Sequence, residues 1–173
     1  EFPYREFDGV QVVALPYQGE TLQKIVMLPP KDSSVTELEA HLRNNPQDFG
    51  KWNECLFPRA FERLEPPKYE LRGKYNLKEP LTAMGLASIW DAATAQLEGI
   101  GPGALYISSG HHQTYFKTDE EGSEGSAATG FVGGLECMPP PPVQMVMDRP
   151  FLEMIVHTPS NALLFLNRIV DPR

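Results

Sequence analysis

The sequence predicts an α+β fold, strand-rich at both ends, with a few short helices between. Three observations carry this prediction. Apolar runs of strand length open the chain at residues 10–15 and 22–28 and close it at 151–156 and 162–170. Turn residues separate the members of each pair. Between the pairs, apolar residues recur at helical spacing behind capping residues.

Taken in order, Gln18-Gly19-Glu20 supplies a hairpin turn after the first strand. Pro29-Pro30 ends the second, since proline brings no amide hydrogen to a ladder. Ser33 or Ser34 can cap a helix through Val35, Leu38 and Leu42, with Glu37 placed for a capping box, and Asn45-Pro46 breaks it. A second short helix is expected over Phe49, Trp52 and Leu56. Pro66-Pro67 precedes an alternating strand at Lys68-Tyr69-Glu70-Leu71. Leu77, Leu81 and Met84 return to helical spacing, stopped by Gly85. Residues 104–118 read as one long strand. Residues 119–142 change character, from acids to small residues to the run Pro139 to Pro142. The closing strands are joined by a turn at Pro159-Ser160-Asn161.

The formal charge of −8 argues against nucleic acid as a partner, because phosphate binding needs a net basic face. The longest apolar runs are strand-length, so no membrane partner is expected. Glu1-Phe2-Pro3-Tyr4 resembles neither a signal peptide nor an initiator sequence, and the start is expected to be internal to a longer protein. Cys55 and Cys137 make no disulfide framework and are expected as two free thiols.

Enzyme signatures are absent: there is no G-x-S-x-G elbow, no P-loop and no zinc spacing, so no catalytic residue, cofactor or metal is expected. Gly99-Ile100-Gly101-Pro102-Gly103 places proline where a phosphate cradle needs a free amide, and reads as a plain loop. His111 and His112 are neighbours on a strand, so their rings point to opposite faces and cannot chelate one metal. One packed or hydrogen-bonded histidine and one exposed histidine are expected. Pro139 to Pro142 has the composition of a polyproline ligand, but a stiff spacer is the preferred reading.

The stretch from Asp119 to Gly130 has the composition of a flexible linker. It nevertheless lies between a long strand and two further strands of the same domain, and long structureless loops inside a domain are usually functional. Its order, two acids, a glycine, a small hydroxyl residue and then small side chains, resembles the hinge of inhibitory serpins. Ala14-Leu15-Pro16-Tyr17 and Val26-Met27-Leu28-Pro29 resemble that family's central hairpin. Pro67-Lys68-Tyr69, with Gly73-Lys74-Tyr75-Asn76-Leu77-Lys78, resembles its lysine-aromatic strand and the helix after it. The segments from Met147 to Leu152 and from Phe165 to Pro172 resemble its closing strands. Glu153 departs from the pattern where an apolar residue is usual, Asn167 where glycine is usual, and Gly110-His111 where an apolar pair is usual, all expected to disturb local packing.

The resemblance implies that residues 1–173 are the C-terminal half of the serpin fold, with elements of sheets B and C, two strands of sheet A and few short helices. Residues 119–142 would be the hinge and reactive-centre loop, and residues 143–173 the closing strands. The N-terminal half would be absent from this chain and would be its partner. So would the strand across the gap beside residues 104–118, leaving the isolated chain prone to self-association. The implied function is protease inhibition: a serine protease, or alternatively a cysteine protease, cuts the loop, which inserts as a strand and traps the enzyme. The inhibitor supplies no catalytic group.

Insertion imposes alternation. With the hinge at Glu121, Gly122, Ser123, Glu124, Gly125, Ser126, Ala127, Ala128 and Thr129, the positions Ser123, Gly125, Ala127 and Thr129 face inward. Glu124 falls on the outward row. Counting forward from the hinge puts the reactive bond at Glu136-Cys137, with Leu135 and Met138 as runners-up. Counting back from Pro150-Phe151 lands near Pro139 instead. A glutamate before the bond suits an acid-preferring protease, and leucine or methionine a chymotrypsin-like or elastase-like one. The competing readings are a non-inhibitory serpin, such as a carrier or chaperone, and a truncated decoy or binding fragment. An extracellular, secreted setting is preferred over a cytoplasmic one.

Overall fold

A computed structural model describes residues 1–54, 56–118 and 140–172. In chain order the first elements are β1 (Phe2–Phe7), β2 (Val10–Pro16), β3 (Leu22–Leu28), α1 (Val35–Asn44), α2 (Pro46–Glu54), β4 (Phe57–Arg59) and β5 (Phe61–Glu65). They are followed by β6 (Tyr69–Asn76), α3 (Lys78–Ala83), a 3₁₀ turn at Ser88–Trp90, β7 (His111–Thr118), β8 (Val143–Val146), β9 (Phe151–His157) and β10 (Ala162–Ile169). The chain divides into two compact units, Glu1–Tyr69 with Thr118–Arg173, and Glu70–Lys117.

The first unit is built on a six-stranded sheet in the order β10-β9-β3-β2-β1-β4. The predicted hairpin pairs antiparallel, with Val13 opposite Val26, and its turn places Gly19 and Glu20 at positive φ. β9 adds to β3 with Ile155 opposite Lys24 and Glu153 opposite Val26, and β10 pairs with β9. β1 extends the other side through a turn at Asp8-Gly9, where φ is 48° and 81°. Positive φ at both central residues matches the twist of a two-residue hairpin. That dipeptide was a readable signal for β1, a strand the apolar pattern alone does not show.

Alternation gives the central strands two buried faces. Val12, Ala14, Ile25, Met27, Met154 and Val156 pack with Val35, Leu38 and Trp52 from the two helices. Val13, Val26, Phe151 and Ile155 occupy the opposite face, together with Lys24 and Glu153. There Phe61 of β5 meets Tyr4 edge-on, with ring centroids 5.5 Å apart. β5 in turn pairs parallel with β8.

Helix α1 starts as expected. The Ser34 side chain accepts from the Glu37 amide at 3.2 Å, and the Glu37 carboxylate accepts from the Ser34 amide at 2.9 Å and the Ser33 hydroxyl at 2.6 Å. These bonds, the Ser33 hydroxyl first, hold the Glu37 pKa below its ordinary value. A lowered folded pKa gives stability that is complete above the ordinary carboxylate range and is lost as pH falls through the folded value. Ser34→Ala is therefore expected to cost about 1 kcal/mol near neutral pH. In urea titrations the gap to wild type should narrow at acidic pH. Helix α2 begins on Pro46, the residue that ends α1, because proline suits a first helical turn. It stops at Glu54, so Leu56 lies beyond it.

In the second unit β6 pairs with β7, and α3 is followed by Gly85 at φ 100°. The expected strand over 104–118 is corrected: only His111–Thr118 is strand. Upstream, the Gly110 carbonyl accepts from the Leu77 amide at 2.9 Å, and the Ile107 amide donates to the Ile89 carbonyl at 2.9 Å. Backbone groups bonded there have no ladder to join. Gly110 also passes so near Trp90 that a Cβ would lie 3.1 Å from its ring, and the indole would have to shift to admit one. The histidine expectation is corrected as well. Both His111 and His112 are exposed, and the His112 ring lies 6.1 Å from that of Tyr75.

Candidate functional site: the two ends of segment 119–139

The hinge from Glu121 to Thr129 and the residues Leu135, Glu136, Cys137 and Met138 lie outside the described residues, as does Cys55. What the structure gives is the frame at either end of that segment. Both ends belong to the first unit, which resumes at Thr118.

At the far end, the Pro141 carbonyl accepts from Arg59 Nη2 at 3.0 Å, and the Val143 amide donates to the Ala60 carbonyl at 2.8 Å. Gln11 Nε2 donates to the Gln144 carbonyl at 3.0 Å. The prolines thus lead into an edge that β5 holds from its first residue. Further on, Arg149 donates to the Pro29 carbonyl at 2.8 Å, fixing the entry to β9 at the point where β3 ends.

At the near end stands a buried polar cluster. Lys24 of β3 and Glu153 of β9 are 6 % and 1 % exposed, and Lys24 Nζ lies 3.4 Å from Glu153 Oε2. The two sit diagonally on neighbouring strands, on the apolar face away from the helices. Lys24 Nζ also donates to Thr118 Oγ1 at 2.7 Å. The Tyr69 hydroxyl donates to Glu153 Oε2, and Asn167 Nδ2 donates to Glu153 Oε1 at 3.2 Å. Each carboxylate oxygen therefore has a donor, as a buried charge requires. Burial, and then the Glu153 carboxylate, push the Tyr69 pKa well above its ordinary value; the same causes raise that of Tyr17.

Glu153 and Asn167, the two departures noted in the closing strands, are register partners on β9 and β10 and bond to each other. The expected packing disturbance is corrected here: both side chains are accommodated in one network. Tyr69 entered the sequence reading only as part of the Pro67-Lys68-Tyr69 motif, and neither Lys24 nor Thr118 was singled out there. The available signal was a lone lysine inside the apolar run Leu22–Leu28, which has to meet an acid somewhere.

Comparison with known proteins matches the serpin (serine protease inhibitor) family model to residues 1–172. Human antithrombin-III is 30 % identical over 99 % of this chain and 37 % of its own length. Bovine leukocyte elastase inhibitor is 32 % identical over 99 % of this chain and 47 % of its own. A solved tumour-suppressing serpin superposes with a TM-score of 0.77 at 18 % identity, over 99 % of this chain and 44 % of that one. Native protease nexin-1, solved with heparin, gives 0.75 at 24 % identity, over 94 % and 42 %. The chain thus spans less than half the length of these relatives, and its sheets are a partial serpin fold. The chain belongs to the serpin family.

Proposed function

We propose that the protein containing this chain is a suicide-substrate protease inhibitor whose bait loop is residues 119–142. The observation that carries the reading is the hinge sequence. Ser123, Gly125, Ala127 and Thr129, the positions that must turn inward on insertion, are all small or hydroxylated. Antithrombin-III and leukocyte elastase inhibitor, by their names, oppose thrombin and elastase, which supports a protease as the partner. The protease attacks the loop with its own nucleophile and forms an acyl-enzyme. The N-terminal half of the same serpin supplies the strand across the insertion gap. The first cut falls after Glu136, and an extracellular setting accompanies the reading.

The test mixes the full-length protein with acid-preferring, chymotrypsin-like and elastase-like serine proteases. A covalent complex that survives boiling in detergent is expected, with a released C-terminal peptide that begins at Cys137. A peptide beginning at Glu136 or Pro139 would move the bait to Leu135 or Met138. Clean cleavage without complex across the whole panel would favour a non-inhibitory carrier or chaperone.

A further inference from the structure

The strand that leads into the bait segment ends on a buried charge. Thr118 closes β7, and its hydroxyl accepts from Lys24 at 2.7 Å. Lys24 is not a surface lysine that reached the strand by chance. It is 6 % exposed, in the middle of β3, and is held from the other side by Glu153, which Tyr69 and Asn167 hold in turn. Five segments converge there: β3, β9, β10, the first residue of β6 and the last residue of β7. A charge of this kind, fixed on its sheet by strand pairing and by a buried counter-charge, is a rigid point to which a neighbouring strand end can be tied. Tyr69 and Thr118 are also the residues at which the chain leaves the first unit and returns to it.

We propose that Lys24 and Glu153 are positioning residues, which pin Thr118 so that the bait segment pivots about a fixed point when it is cut. The proposal rests on the inhibitor reading for its consequence but not for the anchor itself. A fixed pivot directs the cut loop toward the sheet. A loose one lets the strand end open, and hydrolysis of the acyl-enzyme then overtakes insertion.

The experiment compares wild type, Thr118→Val, Thr118→Ser and the double variant Lys24→Met/Glu153→Leu in the full-length protein. Thr118→Val keeps the shape and removes only the acceptor, leaving Lys24 its contact with Glu153. Amide hydrogen exchange of residues 113–118 is expected to rise at least about tenfold in Thr118→Val and in the double variant, as for loss of a charge-assisted bond. Thr118→Ser, which keeps the oxygen, should restore wild-type exchange. In protease assays Thr118→Val should raise the ratio of cleaved inhibitor to trapped enzyme severalfold, and Thr118→Ser should not. Unchanged exchange in Thr118→Val would overturn the anchor. Faster exchange with an unaltered ratio, in a wild-type protein that does trap protease, would overturn the pivot. A wild-type protein that traps nothing would overturn the inhibitor reading instead, and exchange alone would then decide the anchor.

Discussion

Ser123→Arg in the full-length protein is expected to turn the inhibitor into a substrate, cut at the normal rate but no longer trapping. An inserted strand would carry residue 123 into the sheet's covered face, where an unpaired guanidinium costs several kcal/mol. Insertion slows by the corresponding factor, and each 1.4 kcal/mol is tenfold. Glu124→Arg makes a larger change in charge, from acid to base, yet should leave trapping nearly intact, because that row stays in water. The contrast is therefore a test of register and not of charge. Measured as moles of inhibitor consumed per mole of protease silenced, Ser123→Arg should rise steeply and Glu124→Arg by less than about twofold, in keeping with the small effects usual at exposed sites. Equal loss at both positions would show that the alternation assigned to the hinge is wrong.

The second large effect concerns the buried charge pair beside Thr118. Lys24→Met alone is expected to destabilise the protein by about 3–5 kcal/mol, since it strands a buried carboxylate. Glu153, 1 % exposed, would keep its bonds from Tyr69 and Asn167 but lose its counter-charge. Lys24→Met/Glu153→Leu removes both charges and fills the space with apolar atoms, which is commonly neutral or stabilising. Its surroundings suit that exchange, because Val13, Val26 and Ile155 line the same face. Urea midpoints should place the double variant above the single variant but below wild type, because Tyr69 and Asn167 lose the carboxylate they bond. A double variant as unstable as the single one would mean that the pair contributes through geometry rather than through mutual neutralisation.

The central strands were legible because burial on both faces leaves near-continuous apolar runs. Leu22–Leu28 was found with that signal alone, and the hairpin turn before it from Gln18-Gly19-Glu20. Helix α1 was legible because a capping box is local chemistry, readable from Ser34 and Glu37 without knowledge of the fold. The start of β7 was not. Residues 104–110 have the apolar character of a strand, but their backbone bonds to Leu77 and Ile89 depend on tertiary placement of α3 and the 3₁₀ turn. The short strands β4 and β5 escaped for a related reason. Pro58 sits inside the first, and Phe61–Glu65 shows its alternation over too few residues to stand out.

The proposed hinge was read from sequence alone, because insertion would require a pattern in small and charged side chains. The polar cluster beside Thr118 could not be read that way. Its members lie at positions 24, 69, 118, 153 and 167, and only the pairing of β9 with β3 and with β10 brings three of them together. What sequence offered was two unexplained departures, Glu153 and Asn167, that turned out to explain each other.

The most direct test of the central claim is intact mass spectrometry of the full-length protein after reaction with a protease it silences. The account predicts a covalent species with the mass of protease plus inhibitor, less the released peptide that begins at Cys137. That mass is what an acyl-enzyme held by an inserted loop must have, since no water is added. Two clean fragments of the inhibitor beside a free, active protease would contradict it.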